Sequence, residues 1–154
     1  MAAICFVLSG CAAAGPAYNA QEIPKAPAGK AQIIVYRAGG LLGAGESPTI
    51  QINGHDKCEL PQGSFFIAEE QPGKADIGLK TYGQVITHGT ASAQAGKTVY
   101  VEVTVNGGGA VGGGFGAIGA LIANEGPYSI RAVPAETARD DLAGTKQSQS
   151  CNKI

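Results

Sequence analysis

The feature that most constrains this chain is an alternation of apolar and other residues with a period of two. It is clearest over residues 98–105, where every second residue is a valine: Val99, Val101, Val103 and Val105. Successive side chains of a β-strand point to opposite faces of a sheet, so the pattern predicts a half-buried antiparallel strand.

Other short segments share this pattern and are separated by turn residues. We predict strands over 31–37, 49–53, 56–60, 64–70, 75–80, 82–88, 90–94 and 128–133. Residues 31–37 are apolar on both faces, which indicates a central strand, and Asn53-Gly54 is a strong hairpin signal. Pro134 and Gly144 bracket a short helix. Together these elements predict an all-β fold, a small antiparallel β-sandwich with a short C-terminal helix.

Composition limits the size and class of the protein. The chain has 154 residues, which suits one domain of ordinary size. Charged residues make up 15% of the sequence and the net charge is -1. These values exclude a disordered protein governed by charge, and they predict no nucleic-acid partner because a basic footprint is missing.

The first residues contain a motif for lipid attachment. Leu8-Ser9-Gly10-Cys11 resembles the lipobox of bacterial lipoproteins, which implies a signal peptide over 1–10 and a lipid on the Cys11 thiol. Ala12 follows the cysteine, and by resemblance to Gram-negative sorting this implies an outer-membrane anchor facing the periplasm. Residues 1–10 contain no Lys or Arg, so an atypical leader and a start upstream of Met1 both stay open. An apolar run of about ten residues is too short to span a bilayer.

The expected domain organisation follows from this motif. Residues 11–30 are rich in Ala, Gly and Pro and predict a flexible tether between lipid and domain. The β-sandwich domain is expected over 31–154, with a Gly-rich insertion at 107–123.

The four cysteines indicate the same compartment. Cleavage would remove Cys5 and lipid would occupy Cys11, which leaves Cys58 and Cys151. An even pair in an oxidising periplasm is expected to form a disulfide. Two unrelated thiols, or a metal cluster of Cys58 with the nearby His55 and Asp56, are the alternatives.

The Gly-rich segment has two interpretations. Gly108, Gly112 and Gly116 recur every four residues, a spacing that lets helices approach closely in lipid. With Phe115, Ile118 and Leu121 they form a candidate contact segment; the alternative is a loop packed on the sandwich. Residues 114–119 also match G-x-G-x-x-G, but the surrounding pattern lacks the βαβ unit that a dinucleotide site needs.

The sequence does not predict an enzyme, a metal site or a cofactor. His55 and His88 belong to no Ser/His/Asp or Cys/His arrangement that the sequence can define. The adjacent pair Glu69-Glu70 lies on a predicted strand, where neighbouring side chains point to opposite faces and cannot act together. Asp140-Asp141 is expected on the surface.

Five landmarks carry a family resemblance. They are Ile33 to Arg37, Ile52-Asn53-Gly54, Leu60 to Phe65, Gln71 to Lys74 and Ala95 to Val101. Their order and spacing resemble the bacterial lipoprotein family called domain of unknown function 2846, over residues 30–143. The resemblance implies a transthyretin-like or immunoglobulin-like sandwich and carries over no catalytic residue. Ala75, Val99 and the Gly-rich insertion depart from the family pattern.

The function expected is that of a non-catalytic envelope lipoprotein, a structural or interaction module held to a bacterial membrane by its lipid. Its partners would be envelope proteins or glycans. One alternative is a glycan- or peptide-binding lipoprotein that uses the loops at 41–47, 82–88 and 107–123. Another is a membrane-contacting or oligomerising protein that uses the Gly-rich segment.

Overall fold

The structure is a computed structural model that describes residues 13–40, 45–106, 122–123 and 127–151. The elements within these ranges are β1 (Ala31–Arg37), β2 (Thr49–Ile52), β3 (His55–Glu59), β4 (Ser64–Glu70), β5 (Gly73–Thr81), β6 (Gln84–Ala93), β7 (Thr98–Val105), β8 (Ile122–Ala123), β9 (Tyr128–Val133), α1 (Ala135–Leu142) and β10 (Lys146–Gln147). No helix in this part of the chain is long and apolar enough to cross a membrane.

The strands form two sheets, which confirms the predicted all-β sandwich with a short C-terminal helix. The larger sheet has six strands in the order β10-β4-β1-β7-β9-β8, and the smaller has four in the order β3-β2-β5-β6. Most neighbours are antiparallel, but β1 pairs with β7 and β10 pairs with β4 in parallel. The larger sheet is therefore mixed rather than purely antiparallel.

The core between the sheets takes the inward residues of both. From the larger sheet it includes Ile33, Val35, Phe66, Val101 and Val103; from the smaller, Ile50, Ile52, Ile77 and Leu79. The valines of β7 point inward as the alternation predicts. Burying such a side chain contributes about 1.5–3 kcal/mol relative to leaving it exposed.

The outer face of the larger sheet is also covered. Its cluster contains Ile34, Tyr36, Phe65 and Tyr100 from the sheet, with Ala138 and Leu142 from α1. The prediction that β7 is half-buried is therefore wrong, since residues 99–103 are buried on both faces. The cause is tertiary: α1 contacts β7, and the chain before β1 also packs on this cluster.

A buried polar group anchors the helix to this face. The Tyr36 hydroxyl donates to an Asp141 carboxylate oxygen at 3.0 Å, and Arg131 donates through Nε to Glu102, which is buried. Burial, followed by the charge of Glu102, raises the pKa of Tyr36 above its ordinary value. The Tyr36 hydroxyl therefore stays protonated and can donate this hydrogen bond. Asp141, which was expected on the surface together with Asp140, accepts it.

Residues 13–24, here called the N-terminal segment, lie on the domain. The Tyr18 ring meets the Phe65 ring edge-on at 5.5 Å between centroids, and Ile23 packs on the outer cluster. The Pro24 carbonyl accepts a hydrogen bond of 2.9 Å from Gln32 Nε2. These contacts differ from the flexible tether expected over 11–30. Tyr18 and Ile23 pack on the domain, and the Ala-, Gly- and Pro-rich composition of the segment does not indicate such packing.

Candidate functional site

One end of the sandwich brings several strand ends together, and we call it the loop end. β1 and β7 are parallel, so Arg37 and Val105 end at the same edge, where Tyr128 begins β9 opposite Val105. In the smaller sheet, the turn between β5 and β6 lies at this end: Tyr82, within the turn, is close enough to influence the Tyr128 hydroxyl electrostatically. The described residues that follow β1 and β7, Ala38 and Asn106, therefore lie at this end together with the turn residues 82–83.

A hydrogen-bonded network of the buried Arg37 and Tyr128 with the exposed Glu46 forms the base of the loop end. The Arg37 guanidinium lies 5.6 Å from the centre of the Tyr128 ring and donates to the Glu46 carbonyl oxygen at 2.8 Å. The Tyr128 hydroxyl donates to the Glu46 carboxylate. Burial and this carboxylate raise the pKa of Tyr128 to about 12. The network fixes Glu46 and with it the end of the segment that leads into β2.

The turn between β5 and β6 displays an aromatic side chain. Tyr82 and Gly83 both have positive φ, 49° and 79°. This is the pattern of a type I′ hairpin turn, in which Asn-Gly is preferred. The turn between β2 and β3 has that preferred pair, Asn53 and Gly54, with φ of 54° and 78°. Tyr82 therefore occupies a conformation that costs an L-residue other than Asn or Asp about 1–2 kcal/mol.

Tyr82 is also fully displayed to solvent, with 93% of its surface exposed. The neighbouring Val85 is 38% exposed, and these two are the exposed large apolar side chains of the described residues. The other described aromatic residues are buried or half-buried: Tyr18, Tyr36, Phe65, Phe66, Tyr100 and Tyr128. The sequence pattern predicted Tyr82 at the start of a strand over 82–88, and the only signal for the turn is the glycine that follows it.

A cleft lies between the N-terminal segment and β4. It has a volume of about 460 Å³ and an apolar floor that includes Ile23, Phe65 and Ile67. The ionisable side chains that line it, Glu22 and Glu69, are both acidic. These lining residues include no nucleophile paired with a base.

The predicted site residues divide into two groups. Cys58 and Cys151 are joined by a disulfide, and Cys58 is completely buried. The lipidation residue Cys11 lies outside the described residues, as do the candidate contact residues Gly108, Gly112, Phe115, Gly116, Ile118 and Leu121.

The remaining titratable residues singled out in the sequence do not converge. His88 Nδ1 lies 3.7 Å from Asp76 Oδ2, with both side chains more than half exposed. Glu70 pairs with Lys57 at 2.7 Å, whereas its neighbour Glu69 lines the cleft. Over the described ranges, no three His, Cys, Asp or Glu residues are grouped as a metal site requires.

The fold and its cross-link define a class, the small disulfide-bonded β-sandwich whose loop end displays an aromatic residue. The particular assignment comes from the sequence: a family model described as "Protein of unknown function (DUF2846)" matches residues 27–115. The chain belongs to this family, and the match runs from just before β1 to beyond the end of β7. No curated protein and no solved structure matches the chain.

Proposed function

We propose that this protein is a non-catalytic interaction module of the bacterial cell envelope, anchored by a lipid on Cys11 to the outer membrane and facing the periplasm. The observation that carries the proposal is the disulfide between Cys58 and Cys151. Disulfides form and persist in oxidising compartments such as the periplasm. With Cys5 removed and Cys11 lipidated, every cysteine of the processed chain would have a chemical role.

The electrostatics of the domain support contact rather than catalysis. Its shortest ion pairs join elements of the fold: Arg131 with Glu102, Lys57 with Glu70 and Lys80 with Asp56. The pKa of Asp56 is lowered by hydrogen bonds from Lys80 and Gln51, which keeps this carboxylate ionised. A general acid or base needs a pKa near the working pH, and the contacts of Asp56 move its pKa away from that range.

The anchor is tested with the variant Cys11→Ser. We expect the wild-type chain in the membrane fraction, carrying radiolabelled fatty acid and lacking residues 1–10, and we expect no fatty-acid label and no cleavage in the variant, because the Cys11 thiol takes the lipid. Cys5→Ser is the matched control, and it should leave lipid, cleavage and location unchanged. A Cys11→Ser protein that still carries the fatty-acid label would contradict the proposal.

A second candidate function is glycan or peptide binding at the loop end, favoured by the strain and exposure of Tyr82. An aromatic side chain in a left-handed turn lowers the stability of the fold. Residues held in unfavourable backbone conformations are concentrated at functional sites, so Tyr82 is a candidate binding residue. Tyrosine offers a broad apolar surface with a polar hydroxyl, which is why it is frequent in binding surfaces. The hydrogen bonds that the buried Arg37 and Tyr128 donate to Glu46 support the base of this surface.

Tyr82→Asn separates stability from binding. We expect the variant to be more stable than wild type by about 1 kcal/mol, because Asn tolerates the left-handed conformation better. Binding of solubilised peptidoglycan fragments, followed by NMR shifts of the amides of residues 80–85, should be lost. Tyr82→Phe is the control, since it keeps both ring and strain and should still bind. Equal binding by Tyr82→Asn would remove Tyr82 from the site.

A further inference from the structure

The N-terminal segment continues the larger sheet beyond β10. Ala17 forms a β-bridge with Lys146. On either side of it, Gln147 N donates to the Pro16 carbonyl at 2.7 Å and Tyr18 N donates to the Thr145 carbonyl at 2.9 Å. Three successive backbone contacts make this a docked edge rather than a chance approach of a loose tail.

The N-terminal segment packs so closely against β10 that position 15 has room for glycine only. A Cβ built on Gly15 would overlap the Gln147 carbonyl oxygen, so a larger side chain cannot enter without displacing the segment. Two residues earlier, Ala13 is only 8% exposed. The chain is therefore in contact with the domain from its first described residue.

β10 in turn is fixed to the body of the domain. It pairs with β4, the Ser148 hydroxyl donates to the Glu59 carbonyl at 2.7 Å, and the disulfide holds Cys151 against the buried Cys58. The N-terminal segment thus lies on an edge that is covalently tied to the core.

This docking sets the distance between lipid and domain. Cys11 precedes Ala13 by two positions, and two extended residues span at most about 7 Å. A free tether over 11–30 would instead have a root-mean-square length of about 25 Å. The shorter reach is less than the radius of gyration of a domain of this size, about 15 Å.

We propose that the edge of the larger sheet formed by residues 13–18 and β10 lies directly on the surface of the bilayer that holds the lipid of Cys11. This inference rests on the anchor proposed above. The partner of this edge is a lipid surface, and the loop end is then held at a fixed height above it instead of moving on a flexible stalk.

The test uses the lipidated full-length protein in vesicles of phosphatidylethanolamine and phosphatidylglycerol that contain a headgroup acceptor dye. A donor is attached through an unnatural amino acid either at Lys146, on β10, or at Lys74, on the smaller sheet, both exposed. The two sites differ in height by up to a domain diameter of about 30 Å. We expect energy transfer at least about twofold higher from Lys146, and equal transfer from both sites in vesicle-bound protein would overturn the inference.

Gly15→Val releases the segment without altering the core. We expect it to lengthen the reach and to make transfer from the two sites nearly equal. Gly39→Val is the matched control, because a Cβ at Gly39 meets nothing within 4 Å. A persistent difference in Gly15→Val would show that the docked segment does not set the height. Loss of lipid from wild-type Cys11 would refute the anchor itself, and vesicle flotation with fatty-acid labelling detects that separately.

Discussion

Removing the disulfide by Cys58→Ala with Cys151→Ala is expected to lower the free energy of unfolding by about 4.5 kcal/mol. The two cysteines are 93 residues apart, so the bond closes most of the domain into one loop and strongly restricts the unfolded chain. Urea denaturation of wild type and the double variant measures the difference. Alanine is used at both positions because Cys58 is completely buried and a polar replacement would add its own penalty.

Reduction of the wild-type protein provides the control. The unfolding midpoint in excess reductant should fall to that of the double alanine variant, whose own midpoint reductant should not move. Intact mass first verifies that the reductant has opened the disulfide. If the unfolding midpoint of the reduced wild type then equals that of the oxidised wild type, the bond has no structural role.

Truncation on the outer face of the larger sheet is expected to have an effect of similar size. Ile34→Ala should lower the free energy of unfolding by about 2–5 kcal/mol, because Ile34 is fully buried in the cluster that the outer face of the larger sheet forms with α1. In a sandwich with a solvated outer face, the same change would fall within about 0.5 kcal/mol of zero. Urea denaturation under identical conditions distinguishes these results.

Ile33→Ala is the matched comparison. Ile33 is the adjacent residue of β1, is equally buried and belongs to the core between the sheets. The two variants should therefore be destabilised by comparable amounts. A near-neutral Ile34→Ala beside a strongly destabilised Ile33→Ala would mean that α1 and the N-terminal segment do not cover this face.

Coverage of the outer face limits where a partner can contact the domain. Helix α1 occupies that face near β7, and the N-terminal segment occupies it near Phe65. The surfaces left for recognition include the loop end and the acidic cleft beside β4. The loop end is distinguished among them because Tyr82 is maintained there despite its unfavourable conformation.

Local patterns predicted most of the strands and their inward faces. Alternation located β7 and its buried valines, and Asn53-Gly54 located the hairpin between β2 and β3. Pro134 and Gly144 bounded the helix that the structure places at Ala135–Leu142. These features depend on neighbours in sequence, so the residues themselves contain the information. Counting cysteines predicted the disulfide because the expected leader and the expected lipidation of Cys11 left a single pair, Cys58 and Cys151.

Contacts between distant parts of the chain were decided only by the tertiary structure. An alternating strand shows which side chains share a face, but not which strand lies beside it, so the parallel pairing of β1 with β7 was not predictable. The alternation also could not show that α1 would cover the outer face and bury Glu102 with Arg131 as its partner. The sequence of this protein determined its strands, turns and cysteine pair, since these follow from side-chain periodicity and backbone preference. The docking of the N-terminal segment on β10 was determined by packing over a long sequence separation, where the energy of the whole fold outweighs local preference. The positive φ of Tyr82 follows from the register in which β5 pairs with β6, because that register leaves a turn of two residues.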